Sequence, residues 1–153
     1  MKFRQCLTFA IGLAFASSAG AQVVVEGAWV RATAPGQPVA AAYMKITSAQ
    51  PAALVAVSTP VTARAEIHQM KMEGGIMKMR PVTRLELLPG KAVELEPGGY
   101  HLMLMNITKP LRPGESVPIT LVVEGADRTR LEVEVKAEVR SMTTGMGGHG
   151  KMH

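Results

Sequence analysis

Hydrophobic and polar positions alternate with a period of two along much of the chain. The pattern is cleanest over residues 131–140, where Leu131, Val133, Val135, Ala137 and Val139 interleave with Glu132, Glu134, Lys136, Glu138 and Arg140. Successive side chains of a strand point to opposite faces, so this segment predicts a strand with one buried and one wet face. Shorter β-favouring runs at 29–33, 40–47, 100–105 and 117–124 predict further strands. Between such runs stand Pro35-Gly36, Pro51, Pro60, Gly74-Gly75, Pro89-Gly90, Pro97-Gly98-Gly99, Pro113-Gly114 and Gly125, all turn punctuation. No segment carries a helical stripe between caps. The spacing predicts an all-β fold, a single antiparallel β-sandwich.

Residues 1–21 break the pattern. Lys2 and Arg4 form a basic start, residues 7–16 an apolar stretch, and Ala19-Gly20-Ala21 a small-residue cleavage site, the three parts of a secretory signal peptide. The expected organisation is therefore a signal peptide at 1–21, a domain at 22–140 and a Gly-rich tail at 141–153, with the product in a bacterial periplasm. Cys6, the one cysteine of the chain, lies before the apolar stretch, which argues for a free product over a lipid-anchored one. Cleavage removes two cations and lowers the formal charge from +5 to +3. Cations and anions are dispersed along the strands, so no nucleic-acid partner is expected. No apolar run reaches the roughly 18 to 20 residues of a membrane span.

Loss of Cys6 excludes structural disulfides, a thiol nucleophile and thiolate metal ligands from the mature chain. Aromatic residues make up only 4%, too few for a stacking platform. Methionine is the unusual residue: 11 in 153. Six of them form Met-x-Met pairs, Met70 with Met72, Met77 with Met79 and Met103 with Met105. Two histidines join these segments as His68-Gln69-Met70 and His101-Leu102-Met103. A spacing of two puts each imidazole and its neighbouring thioether on one face of a strand. Met44 and Met105 are read as packing residues, since Met fills gaps in cores.

Residues 67–80 read as a hairpin with Gly74-Gly75 at the tip, because Gly-Gly meets the positive φ angles of a two-residue turn. If Glu73 pairs with Ile76, then Met72 faces Met77 and Met70 faces Met79. His68 and these four methionines then share one face. A slip by one residue would scatter them. Thioether sulfur is soft and uncharged, a poor ligand for Zn, Mg or Ca and a good one for Cu(I), which also accepts imidazole. A neutral set of two His and two Met suits an exchangeable ion in a compartment where cysteine would oxidise.

Counting from His68, ten residues intervene before Met79, twenty-one more before His101, and one before Met103. This H-x10-M-x21-H-x-M spacing resembles that of the periplasmic copper chaperone family PCu(A)C. The flanks resemble it too, at Ala28-Trp29-Val30-Arg31-Ala32-Thr33, Tyr43-Met44, Met77 to Val82, Pro97 to Met105 and Pro118-Ile119-Thr120-Leu121. The resemblance implies a cupredoxin-like β-sandwich that binds Cu(I) through His68, Met79, His101 and Met103. It also implies delivery of copper to a respiratory acceptor, the CuA site of cytochrome c oxidase subunit II, alongside a Sco-type thiol protein. Met70, Met72 and Met77 are auxiliary ligands or a soft apolar rim.

Rival functions are weighed on the same residues. A blue-copper electron carrier needs a Cys thiolate, which the mature chain lacks. An enzyme would need more imidazole or carboxylate ligands than two histidines outside the tail, so no catalysis is expected. A periplasmic copper buffer or resistance protein would use the same ligands. A metal-free β-sandwich interaction module would use the Met-rich face for docking. The tail adds Met142, Met146, His149, Met152 and His153, a second candidate metal segment in which His would take Cu(II). Deletion of residues 141–153 is expected to lower the Cu(II) stoichiometry measured by equilibrium dialysis. Unchanged stoichiometry for both oxidation states would leave the tail no metal role.

Overall fold

The alternation becomes ten strands in a computed structural model that describes residues 22–141: β1 (Val23–Arg31), β2 (Val39–Ser48), β3 (Ala52–Ser58), β4 (Arg64–Glu73), β5 (Ile76–Val82), β6 (Leu85–Leu87), β7 (Val93–Leu95), β8 (Tyr100–Met105), β9 (Ser116–Gly125) and β10 (Arg130–Arg140). The expected signal peptide and the tail methionines and histidines lie outside the described residues. The strands form one sheet in the order β5-β4-β8-β7-β2-β1-β10-β9-β3-β6. The sheet coils until β3 lies against β4, giving a near-barrel. Among the described residues no helix is long and apolar enough to cross a membrane.

The all-β expectation holds, with a single coiled sheet that approximates the expected cupredoxin-like sandwich. Two joints of the sheet are parallel, though, where the sequence reading had every pair antiparallel. The last strand returns beside the first in the same direction, pairing Trp29–Arg31 with Glu138–Arg140, and β7 meets β8 at the single pair Leu95 with Tyr100. Strand β1 also starts earlier than its expected segment, at Val23, and ends at Arg31. Strands β6 and β7 are three residues each, too short for alternation to show.

Inside the coil, Val30, Ile46, Leu54, Leu102, Leu104, Ile119 and Leu121 are fully buried and form the centre of one core. The alternation of β10 is buried at Ala137 and Val139 but ends in Leu131, which is 41% exposed. The reason is pairing: β1 covers β10 only at its last three residues, so the first half of β10 has β9 alone beside it.

A bulge in β1 decides which residues face out. Glu26 pairs with Lys45 and Trp29 with Tyr43, so two residues of β1 stand opposite one of β2. Gly27 has φ of 61°, a conformation in which an L side chain is strained. With unbroken alternation and no bulge Trp29 would share the inward face of Val23 and Val25. With it, Val30 enters the core and Trp29 turns to the outer face beside Tyr43. A Cβ at position 27 would meet no atom within 4 Å, so substitution there tests backbone conformation alone. Gly27→Ala is expected to lower the free energy of urea unfolding by about 1–2 kcal/mol. No loss would mean that the bulge is not held by this residue.

Candidate metal centre

Strand β4 is paired on both edges, and both registers matter. Against β5, Glu73 pairs with Ile76, Met72 with Met77 and Met70 with Met79, around Gly74 and Gly75 at φ of 59° and 78°. This is the two-residue turn expected from the sequence, with positive φ at both central positions. Against β8, His68 pairs with His101 and Glu66 with Met103. Directly opposed residues share a face, so Met77 and Met79 of β5, Glu66, His68, Met70 and Met72 of β4, and His101, Met103 and Met105 of β8 all point to one side. Ile67, Leu102 and Leu104 occupy the alternate positions and point into the core.

The two histidines form the centre of this face. Their ring centroids are 6.0 Å apart, and they are withdrawn from water, His68 being 8% and His101 4% exposed. Nδ1 of His101 lies 3.2 Å from the carbonyl oxygen of Gly99, while its Nε2 makes no hydrogen bond among the described residues. Nε2 of His68 lies 2.8 Å from Oε2 of Glu66. Thr33 and Ser48, the other buried polar residues among those described, have their hydroxyls bonded, Thr33 accepting from the Leu111 amide and Ser48 donating to the Gln50 carbonyl. Among the described residues, Nδ1 of His68 is the buried side-chain polar atom left without a partner. Leaving such an atom unpaired costs about 1–3 kcal/mol, and a ligand would relieve it.

The four motif residues therefore lie on one face of three adjacent strands. Met79 stands one pleat repeat along β5 from Pro81, which is the residue opposite His68, and it is 45% exposed. Met103 is half-buried, with Ala41 opposite it on β2, where a single methyl leaves the thioether room. Met70 follows His68 on β4, whereas Met72 and Met77 sit toward the exposed hairpin tip. Met44 is buried in the core, as its packing role requires. Met105, read as packing too, is half-buried on the outer face instead, because alternation gives the core position to Leu104. Among the described residues no three His, Cys, Asp or Glu are placed to hold a metal, so a site on this face must draw on thioether sulfur.

Aromatic rings and cations wall one side. The Trp29 and Tyr43 rings are 4.6 Å apart, and Tyr43 is 6.4 Å from the His101 ring, so a row of rings crosses β1, β2, β8 and β4. The Arg31 guanidinium lies 5.9 Å from the Tyr43 ring and Arg140 lies 5.8 Å from Trp29. On the far side of the β4–β5 ribbon, Glu73 is ion-paired to Arg80 at 2.8 Å and Lys78 at 3.7 Å. One side of the hairpin is thus methionine and the other charge.

Comparison with known proteins gives this geometry a family. Residues 23–135 match the family described as "Putative lipoprotein LpqE-like". A protein of Leifsonia xyli subsp. xyli (strain CTCB07), named "Putative lipoprotein Lxx21020", is 29% identical over 115 residues, 74% of this chain and 69% of that one. The apo PCuAC domain from PmoF1 superimposes with a TM-score of 0.63 at 29% identity, covering 78% of this chain and 93% of that domain. The solution structure of CuI-DR1885 from Deinococcus radiodurans is 33% identical with a TM-score of 0.61, covering 84% and 86%. The chain belongs to the PCu(A)C family of copper chaperones.

Within this PCu(A)C chain, sequence reasoning placed His68 and Met79 on one face of the hairpin and His101 and Met103 on one face of a second strand, joined them only through the family spacing, and overlooked Glu66. The signal was available, since Glu66 precedes His68 by the same spacing of two that links His68 to Met70. Tyr43 and Trp29 were legible only as family-like flanks, because the bulge that turns Trp29 outward cannot be counted from alternation. Met142, Met146, His149, Met152 and His153 lie outside the described residues.

Burial pushes the His101 imidazole below its ordinary pKa of 6.5; the Gly99 bond opposes this and the nearby His68 adds to it. Because the folded value is depressed, the unfolded chain binds more protons below pH 6.5. His101 thus costs the metal-free fold nothing above that pH and progressively destabilises it as pH falls toward the folded pKa. Urea midpoints of metal-free protein are expected to fall over this window, and to fall less in His101→Gln. Identical pH dependence in the two proteins would remove His101 as the cause.

Proposed function

We propose that this protein is an exported Cu(I) chaperone, with a signal peptide at residues 1–21, a copper-binding domain at 22–140 and a metal-collecting tail at 141–153. His68, Met79, His101 and Met103 hold the ion. The observation that carries the reading is the direct opposition of His68 and His101 across β4 and β8, with the two thioethers on the same face within three strands. The donor set fits the ion: two imidazoles and soft, neutral sulfur favour Cu(I) over Zn, Mg or Ca. CuI-DR1885 and the lipoprotein relative support the metal and the export respectively.

The chemistry is ligand exchange, not catalysis. Met79 is exposed and sits on β5, the edge strand of the sheet, so an incoming ligand can replace its sulfur before the buried histidines are disturbed. The ion leaves when a partner offers stronger donors, such as the thiolates of a dinuclear copper site. The acceptor is cytochrome c oxidase subunit II, with a Sco-type protein acting beside it, and the compartment is the periplasm. Met70, Met72 and Met77 guide the ion along the hairpin as auxiliary thioethers.

An anaerobic Cu(I) titration against a chromogenic chelator tests the site. Wild type is expected to bind about one equivalent, the count that a single four-donor site allows. Met79→Leu and His101→Ala should each weaken binding by more than about tenfold, or about 1.4 kcal/mol. Met-to-Leu substitution conserves volume and apolarity, so a metal-free docking face would tolerate it. Binding indifferent to both substitutions would overturn the site. Mixing the loaded protein with the metal-free soluble domain of subunit II should move copper to that domain; full retention would favour a buffer over a chaperone.

A further inference from the structure

The hydrogen bonds at the two histidines decide which nitrogen of each ring is free. An ionised carboxylate can only accept, so Oε2 of Glu66, 2.8 Å from Nε2 of His68, requires the proton of a neutral His68 ring to sit on Nε2. Nδ1 then carries the lone pair, and it is the atom found buried and unpartnered. A backbone carbonyl also only accepts, so Gly99 places the His101 proton on Nδ1 and leaves its lone pair on Nε2. The two rings, opposed across the strand pair, present opposite ends.

Glu66 is itself held. Nε of Arg64 donates to its other oxygen, Oε1, at 2.9 Å, and Arg64, Glu66 and His68 follow one another at every second residue of β4. Alternation puts all three on the metal face, with Met103 directly opposite Glu66. The guanidinium thus occupies one carboxylate oxygen and turns the second toward the imidazole. Carboxylate bonded to the far nitrogen of a ligating histidine is a recurrent way to fix ring orientation and raise donor strength.

We propose that Glu66 is a positioning residue of the copper site: it holds His68 as the Nε2–H tautomer, so that His68 meets the ion through Nδ1 while His101 meets it through Nε2. This inference rests on the Cu(I) reading above. Arg64 supports it by keeping the carboxylate turned, and the anionic carboxylate offsets part of the ion's charge. Loss of such a partner typically lowers metal affinity by about 10–100-fold.

Long-range proton–nitrogen NMR of the metal-free, nitrogen-labelled protein at mildly alkaline pH reads the tautomers directly, and a Cu(I) titration of the same variants reads the consequence. Wild type should show His68 protonated on Nε2 and His101 on Nδ1. Glu66→Ala should leave His68 a mixture, leave His101 unchanged and lower Cu(I) affinity by about 10–100-fold. Glu66→Gln, whose amide oxygen can still accept, should restore the tautomer and most of the affinity. Wild-type His68 protonated on Nδ1, or a Glu66→Ala protein with unchanged tautomer and affinity, overturns the inference even where copper binds. Correct tautomers in a wild type that binds no Cu(I) would instead overturn the copper reading, and with it the role given to Glu66.

Discussion

Every donor on the candidate metal face depends on strand β4 being locked in register on both of its edges. A strand gives its side chains to two faces with a period of two, so a shift of one residue against either neighbour would send half of the donors into the core and bring leucines out. On one edge the lock is the Gly74-Gly75 turn, where two consecutive positive φ values match the twist of the ribbon. On the other it is the pairing of Ile67 with Leu102 and of Ala65 with Leu104, where Ile67, Leu102 and Leu104 are buried and Ala65 packs against the core, a burial that a slipped register would lose. The turn is a local device and the core pairing a long-range one, and they agree.

That agreement lets a polar pair sit in a dry place. His68 and His101 are covered by neighbours on the outer face, and the Tyr43 ring is one of them. Burial penalises the protonated ring, which keeps His101 neutral and its lone pair available. The Arg64 and His68 partners hold the Glu66 carboxyl below the usual carboxylate range, with the His68 bond the larger cause. A ring that is already neutral can give its nitrogen to an ion with no proton to remove.

The methionines of the hairpin edge have the opposite setting. Met79 lies on an edge strand in contact with solvent, and Met72 and Met77 extend the thioether surface toward the tip. Soft, neutral ligands at an open edge bind an ion without enclosing it, whereas a cage on the inner side of the sheet would hold it against exchange. The other side of the same hairpin carries charge, with Glu73 between Arg80 and Lys78.

The sequence by itself determined what is local or periodic. The β class, the hairpin turn, its register and the sharing of one hairpin face by His68, Met70, Met72, Met77 and Met79 follow from a period of two and from the conformational freedom of glycine, whereas grouping His68 and Met79 with His101 and Met103 rested on the family spacing. The length and strength of β10 were legible too, although not the exposure of Leu131, because burial depends on which strand lies next door. Tertiary structure alone decided the rest: that His101 lies opposite His68, that Trp29 turns outward at the Gly27 bulge, and that the first and last strands pair in parallel. Those features are contacts between residues distant in the chain, or a single inserted residue that reverses a face, and alternation along one strand carries no information about its neighbour.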